Sequence, residues 1–143
     1  MLPHVSRFVR TQRTATAATI KVGSQLLRVY STHLGTMSDI SLAGRRNQLN
    51  AIMADARSYD RVVIGGDMND EGVGHVVLQQ GYVWPTQHGP ATTMLGRLDH
   101  IFIRGVTSPA NGGAGTVLDA RGSSDHLPVW VIVDLRQRST LPS

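Results

Sequence analysis

The sequence predicts an α+β fold in which strands outnumber helices. Short segments rich in Thr, Val and Ile recur along the chain, and the spacing of apolar residues typical of a helix occurs in only two places. The predicted strands are joined by tight turns or by one helix. At 143 residues and 41% hydrophobic content the chain has the size of a single domain with its own core. Because aromatic residues make up only 5%, that core must be mainly aliphatic.

A hairpin is predicted near the start of the chain. Residues 1–13 have no clear period and are predicted to be an irregular lead-in. Residues 14–22 are rich in Thr, Ala, Ile and Val and predict a strand. Gly23-Ser24 is a turn signal, and residues 25–33 form a second apolar segment, so the two segments predict an antiparallel pair.

A helix is predicted over residues 41–57. One face of it collects the apolar side chains, whereas the polar side chains, Arg45 among them, occupy the other positions. The apolar face consists of Leu42, Leu49, Ile52, Met53 and Ala56. Residues 61–66 follow as a continuous apolar strand, a pattern that indicates burial on both faces. A short helix over 73–80 is then predicted to end at Gly81.

The last third of the chain is predicted to contain three more strands. Residues 97–103 alternate between apolar and polar side chains, and residues 105–115 form a loop rich in Gly, Pro and Asn. Residues 116–118 predict a short strand, and 129–135 predict the last one. The polar residues 136–143 predict a flexible tail.

Composition excludes several classes of chemistry. The chain has no cysteine, which excludes disulfides, thiolate metal sites and a cysteine nucleophile. No apolar run reaches the length of a membrane span, and no signal peptide is visible, so the sequence predicts no compartment. The net charge of +4 is concentrated before Asp39, where five basic residues precede the first acid. Such a segment can attract phosphate-bearing partners, although an arginine-rich surface beside a strand is the interpretation we favour.

Four short motifs carry the residues suited to chemistry. They occur in the order Thr32-His33-Leu34, Gly66-Asp67-Met68-Asn69, Arg97-Leu98-Asp99-His100-Ile101 and Ser124-Asp125-His126-Leu127-Pro128. Each lies within a predicted strand or at its end. Carboxylates are ligands for Mg²⁺ or Ca²⁺, and histidine exchanges protons near neutral pH.

The spacing within two motifs indicates specific contacts. Asp67 and Asn69 are two residues apart after a buried strand, so both can face one water, metal or phosphate oxygen. The alternative is an Asx-turn that caps the next helix. Asp99 lies in an otherwise apolar strand and therefore requires a partner.

Together the four motifs resemble the endonuclease/exonuclease/phosphatase family of metal-dependent phosphoesterases, from about Ala15 to Leu135. The resemblance implies a deoxyribonuclease-like four-layer α/β/β/α sandwich. Members of that family are much longer, and their first half supplies an Asn and a metal-binding Glu. The only Glu of this chain, Glu71, stands in the G-D-x-N loop. Residues 1–143 therefore resemble the C-terminal portion of one such domain, which is half of the sandwich.

The resemblance also implies roles for individual residues. His33 would reach the scissile phosphate and protonate the leaving oxygen; the alternative is a core histidine bonded to a backbone carbonyl. Asp67 would orient or deprotonate the attacking water, and Asn69 would hold the substrate phosphate. Asp99 would orient His126, which would polarise the phosphate or take a proton from water.

The implied cofactor is Mg²⁺, with Mn²⁺ or Ca²⁺ as alternatives, and its ligands would be Asp125, Asp67 and Asn69. His100 would be structural and point to the opposite face of the strand.

Two functions follow from the sequence. The first is a divalent-metal-dependent phosphoesterase that hydrolyses a phosphodiester or phosphomonoester by direct attack of water; the sequence does not select the phosphate-ester substrate. The second is a truncated or split half-domain that is inactive alone, because the Glu and the first-strand Asn are absent. Its expected partner is the missing N-terminal half, or a second copy bound through an exposed sheet face.

Overall fold

One mixed four-stranded sheet organises the molecule. The computed structural model describes residues 13–136, so the lead-in predicted for 1–13 and the tail predicted for 136–143 fall almost entirely outside the described residues. The sheet has the order β1-β2-β3-β4, with β2 and β3 parallel and the outer pairs antiparallel. Its strands are β1 (Ala15–Val22), β2 (Gln25–His33), β3 (Val62–Asp67) and β4 (Asp99–Arg104).

The remaining elements are two helices and a small ribbon. The helices are α1 (Leu42–Ala56) and α2 (Gly74–Leu78), and a single 3-10 turn (Glu71–Val73) leads into α2. The ribbon pairs β5 (Ala114–Thr116) with β6 (Val129–Val131) in antiparallel fashion. These elements give the predicted α+β fold. None of the helices found between residues 13 and 136 has the length and hydropathy that a bilayer span requires.

The predicted hairpin forms the edge of the sheet. Val22 pairs with Gln25, so Gly23 and Ser24 are the two turn residues, and Gly23 adopts the positive φ of +59° that such a turn needs. β1 is the outer strand, and its residues are exposed from Thr16 to Val22. This edge therefore contributes little to the core.

Helix α1 crosses over the sheet and makes β2 and β3 parallel. It begins after Ser41, whose side chain accepts a hydrogen bond from the backbone N–H of Gly44. Four of the five predicted apolar residues are buried, and Leu42 is partly buried against the same cluster. The main core lies between α1, α2 and the first face of the sheet, which presents Tyr30, Val62, Ile64, His100 and Phe102.

The prediction that Arg45 lies away from the buried face is wrong. Its side chain is buried, donates to the backbone carbonyl of Ile40 at 2.9 Å and pairs with Asp70 at 2.8 Å. Gln48 is also buried, where its side-chain oxygen accepts from the backbone N–H of Gly35 at 2.9 Å. A polar group can be buried when it is hydrogen-bonded, and these contacts tie α1 to the loops that follow β2 and β3.

Arg45→Ala is expected to lower the free energy of unfolding by about 2–3 kcal/mol, because Asp70 would lose its partner in a half-buried environment. Urea denaturation of the two proteins measures the difference. Arg57→Ala is the control, since Arg57 ends the same helix and is exposed, and we expect less than about 1 kcal/mol there. Equal losses in the two variants would contradict a specific role for the Arg45–Asp70 pair.

The second face of the sheet, defined by Leu27, Val29, Val63, Ile101 and Ile103, is only partly covered. The segment 131–135 packs against it, and Leu27 and Ile103 are buried there, whereas the other three residues are half-buried. The sequence predicts that β3 is buried on both faces. Its apolar side chains are fully buried on the first face and only partly buried on the second. Exposed apolar side chains continue this face at Ile20 and Val22, which are 45% and 51% exposed.

Two predicted strands differ from the structure. The strand predicted at 116–118 lies at Ala114–Thr116 instead, because these are the residues that pair with Val129–Val131. The strand predicted at 129–135 ends at Val131, and a separate bridge joins Asp134 to Thr107. The short helix predicted at 73–80 covers Gly74–Leu78, and Gly81 follows with a φ of +78°.

Candidate active site

Three of the predicted site residues form one row across the sheet. His33 is in register with Asp67, and Asp67 is in register with Asp99. Residues in register on neighbouring strands point to the same side, so all three side chains stand on the second face. The backbone pairing of β2, β3 and β4 thus brings a histidine and two carboxylates together from positions far apart in the sequence.

His126 completes the group from the loop before β6. Its Nδ1 lies 2.8 Å from Oδ2 of Asp99, which is the hydrogen bond predicted for this pair. Its Nε2 lies 3.9 Å from Oδ2 of Asp67, and Nε2 of His33 lies 3.3 Å from the same oxygen. Asp67 therefore stands between two imidazole rings. His33 is half-exposed, which excludes the alternative of a core histidine.

The surroundings of His126 favour its charged form. Burial of the ring acts to lower the pKa of His126, but the hydrogen bond to Asp99 and the negative charges of Asp99, Asp67 and Asp125 outweigh it. The pKa of His126 is consequently raised above its ordinary value. A cationic ring facing an open polar site can attract an anionic group such as a phosphate.

The loop after β3 holds Asn69 in a strained conformation. Asn69 has a φ of +54°, a region that asparagine enters more readily than most residues. Its backbone N–H donates to Oδ1 of Asp67 at 2.8 Å, and its buried amide donates to the carbonyl of Leu34 at 3.0 Å. The Asx-turn considered as an alternative is thus present, and it fixes Asp67 at the site. The helix-capping role belongs to Asp70, which accepts from Gly72.

Asp125 is exposed and directly precedes His126. The backbone N–H of His126 donates to the hydroxyl of Ser124 at 3.0 Å. Between residues 13 and 136 the His, Asp and Glu side chains form no group of three or more that could hold a metal ion. One carboxylate oxygen of Asp67 lies near two histidine rings, and the other accepts from a backbone N–H. Asp99 accepts from the hydroxyl of Thr92 and contacts His126. The described residues therefore do not fit a complete divalent-metal site.

Glu71 is engaged elsewhere. It forms a two-bond ion pair with Arg97, with contacts of 3.0 and 2.8 Å, and the hydrogen bonds from Arg97 lower the pKa of Glu71. Arg97 also donates to the carbonyls of Gln87 and Gly89. Arg97 belongs to one of the four motifs, but no pattern in the sequence predicts this structural role.

Thr92 is a second residue that the sequence did not reveal. Its hydroxyl lies 2.7 Å from Oδ2 of Asp99, the oxygen that also contacts His126. Residues 82–95 show no regular period, and nothing in that segment distinguishes Thr92 from Thr86 or Thr93. Only the folded structure brings it to the site.

His100 points away from the site, as predicted. It is buried on the first face, where Nδ1 accepts a hydrogen bond from Nε1 of Trp84 at 3.3 Å and the two rings meet edge to face. Burial lowers the pKa of His100 below its ordinary value, so the ring is kept neutral in the core. His100 supports the strand that carries Asp99.

Comparison with known proteins identifies the family. The family model described as "Endonuclease/Exonuclease/phosphatase family" matches residues 3–126. The chain therefore belongs to this family, and its fold is part of the family's four-layer sandwich. No curated protein sequence matches the chain.

Solved structures share the fold at low sequence identity. A mannosyl-6-phosphatase from Bacteroides thetaiotaomicron is 16% identical, with a TM-score of 0.65 over 85% of this chain and 57% of its own. TDP2 from D. rerio, complexed with a single-strand DNA product, is 19% identical, with a TM-score of 0.68 over 88% and 64%. The human Nocturnin catalytic domain with bound sulfate is 17% identical, with a TM-score of 0.61 over 90% and 55%. The chain thus spans between 55% and 64% of these structures.

Proposed function

We propose that this chain forms the part of a metal-dependent phosphoesterase that binds the phosphate and moves the protons. The observation that supports it most directly is the hydrogen bond between His126 and Asp99, beside which Asp67 lies within 4 Å of the rings of both His126 and His33. Family membership supports the same chemistry. Phosphoryl transfer depends mainly on positioned charge, which a rigid sheet edge provides.

In the proposed reaction a water attacks phosphorus directly. Asp67 accepts a proton from that water as the new P–O bond forms. His126, held by Asp99 and favoured in its cationic form, stabilises a phosphate oxygen. As the bond to the leaving oxygen breaks, His33 in its protonated form donates to that oxygen. The amide of Asn69, oriented by the carbonyl of Leu34, contributes a further contact to the phosphate.

The proposed cofactor is Mg²⁺, with Mn²⁺ or Ca²⁺ as alternatives. Asp125 is the exposed carboxylate of this chain that adjoins the site, and one carboxylate is a weak anchor for a strongly hydrated ion. The proposal therefore requires further ligands from outside the described residues. No step of the reaction above is assigned to the metal.

The proposed partner is the remainder of the family domain, which would cover the second face of the sheet. That face is apolar, is half-buried at Val29, Val63 and Ile101, and continues into exposed Ile20 and Val22. Exposed apolar surfaces of this kind mark interaction sites in soluble proteins. A second copy of this chain is the other occupant that the same surface would accept.

The assay follows hydrolysis of a generic phosphodiester in millimolar Mg²⁺ or Mn²⁺. We expect turnover by the 143-residue chain alone to be at least about 100-fold slower than turnover by the same chain mixed with a polypeptide that supplies the remainder of the domain. The reason is that both the metal ligands and the covering sheet are incomplete. Turnover is measured with and without chelator.

The control is the same mixture made with a His126→Asn chain, which should not recover turnover. The molar mass in solution, measured by light scattering, distinguishes a complex with the second polypeptide from self-association of this chain. Full metal-dependent turnover by this chain alone would contradict the half-domain proposal, and no turnover in any mixture would contradict the phosphoesterase proposal.

A further inference from the structure

The contacts around Thr92 leave its hydroxyl proton a single acceptor. The residue is 2% exposed. Its Oγ1 accepts hydrogen bonds from the backbone N–H groups of Leu98 at 3.1 Å and Asp99 at 3.2 Å. A hydroxyl has two acceptor sites and one proton, so these contacts leave the proton for the remaining neighbour, Oδ2 of Asp99 at 2.7 Å.

The same carboxylate oxygen contacts His126. Because Nδ1 of His126 and Oγ1 of Thr92 lie 2.8 and 2.7 Å from Oδ2, that oxygen is fixed from two directions. A carboxylate held by a single partner can rotate about its side-chain bonds, whereas two partners on one oxygen define its place. The side chain of Asp99 is therefore oriented by Thr92 as well as by its own strand.

Thr92 also fixes the loop that carries His126. Its backbone carbonyl accepts from the N–H of Leu127 at 2.8 Å, immediately after the histidine. The residue following Thr92 begins a closed turn, in which Thr93 and Gly96 exchange backbone hydrogen bonds. Thr92 thus contacts Asp99 through its hydroxyl and, through its backbone carbonyl, the residue that follows His126.

We propose that Thr92 is a positioning residue that orients the carboxylate of Asp99 and thereby decides which ring nitrogen of His126 faces the reaction site. The inference rests on the proposed function for its catalytic meaning. The structural part of the inference, which is the tautomer of the His126 ring, can be measured without an activity assay. A backbone carbonyl is unaffected by side-chain substitution, so replacing the side chain tests the hydroxyl alone.

The test is the tautomer of His126 in the full chain, read from the ¹⁵N chemical shifts of its ring at a pH where the ring is neutral. In the unaltered chain we expect the Nδ1–H form to dominate, since Asp99 accepts from Nδ1. Thr92→Val keeps the shape of the side chain and removes the hydroxyl, and we expect the Nε2–H form to become the major one. Thr92→Ser should restore the original tautomer.

Thr86→Val is the matched control. Thr86 is also buried and also precedes β4 in the sequence, but its hydroxyl accepts from the backbone N–H of Ile101 at 3.0 Å. This variant should lose stability as Thr92→Val does and leave the tautomer of His126 unchanged. An unchanged tautomer in Thr92→Val, or the same change in both variants, would overturn the inference.

A second measurement does not depend on any variant folding. In the unaltered chain the Thr92 hydroxyl proton should exchange slowly with water and show a nuclear Overhauser effect to the Nδ1 proton of His126, because both donate to one oxygen. Absence of this nuclear Overhauser effect would overturn the inference. If the tautomer responds to Thr92 while no complemented mixture hydrolyses a phosphate ester, the positioning stands and the proposed function fails.

Discussion

Asp99→Asn is expected to lower kcat of the complemented enzyme by about 10³-fold. Asp99 contributes two things to His126: the acceptor that orients Nδ1, and the negative charge that helps to raise the pKa of the ring. Asparagine removes the charge, and in one of its orientations it presents an N–H group where Thr92 and His126 both need an acceptor. The ring would then lose both its orientation and part of its cationic population.

The measurement is steady-state turnover of a phosphodiester, together with thermal unfolding to verify that the fold is retained. Asp119→Asn is a suitable control, since Asp119 is exposed and its side chain accepts from the backbone N–H of Arg121. Turnover of Asp99→Asn within tenfold of the unaltered enzyme would reject a catalytic role for the pair.

Gly66→Ala is expected to lower the free energy of unfolding by about 3 kcal/mol or more, and to disrupt the end of β3, which carries Asp67. Gly66 has a φ of +142°, where an L side chain is strained. A Cβ atom at this position would overlap the backbone carbonyl oxygen of Thr32 on the neighbouring strand. Strain and overlap each cost about 1–3 kcal/mol, and a small domain has little stability in reserve.

The adjacent glycine provides the control for this variant. A Cβ atom on Gly65 would meet its nearest neighbour, Cγ1 of Ile101, at an ordinary contact distance of 3.6 Å. Gly65→Ala should therefore change stability by less than about 1 kcal/mol. Urea denaturation of both variants compares them directly. Similar losses in the two would mean that the backbone of Gly66 is not constrained in the way described.

The grouping of the site residues was predictable because their motifs mark strand ends. His33, Asp67 and Asp99 each adjoin an apolar segment, and strands that pair in a sheet bring such positions together. That Asp99 needs a donor was also predictable, since a carboxylate among apolar neighbours requires one. The choice of His126 as that donor came from the resemblance to the family and not from a local pattern.

Other features depend on contacts between distant segments and leave no local signal. Arg45 is buried with Asp70 as its partner, and Asp70 lies 25 residues away in the sequence, beyond β3. Thr92 is brought to Asp99 by a turn whose sequence has no period. The position of β5 was predicted two residues too late, because its register is set by the strand after Pro128.

The row formed by His33, Asp67 and Asp99 has a consequence for how proteins of this design can diversify. The spacing of these three groups is set by main-chain pairing between the strands. That pairing depends little on which side chains occupy the loops that join the strands. The segments that follow the strands can therefore change in length and composition while the three side chains keep their separation. Under the proposed function, such an arrangement allows selectivity for different esters to evolve separately from the ability to cleave them.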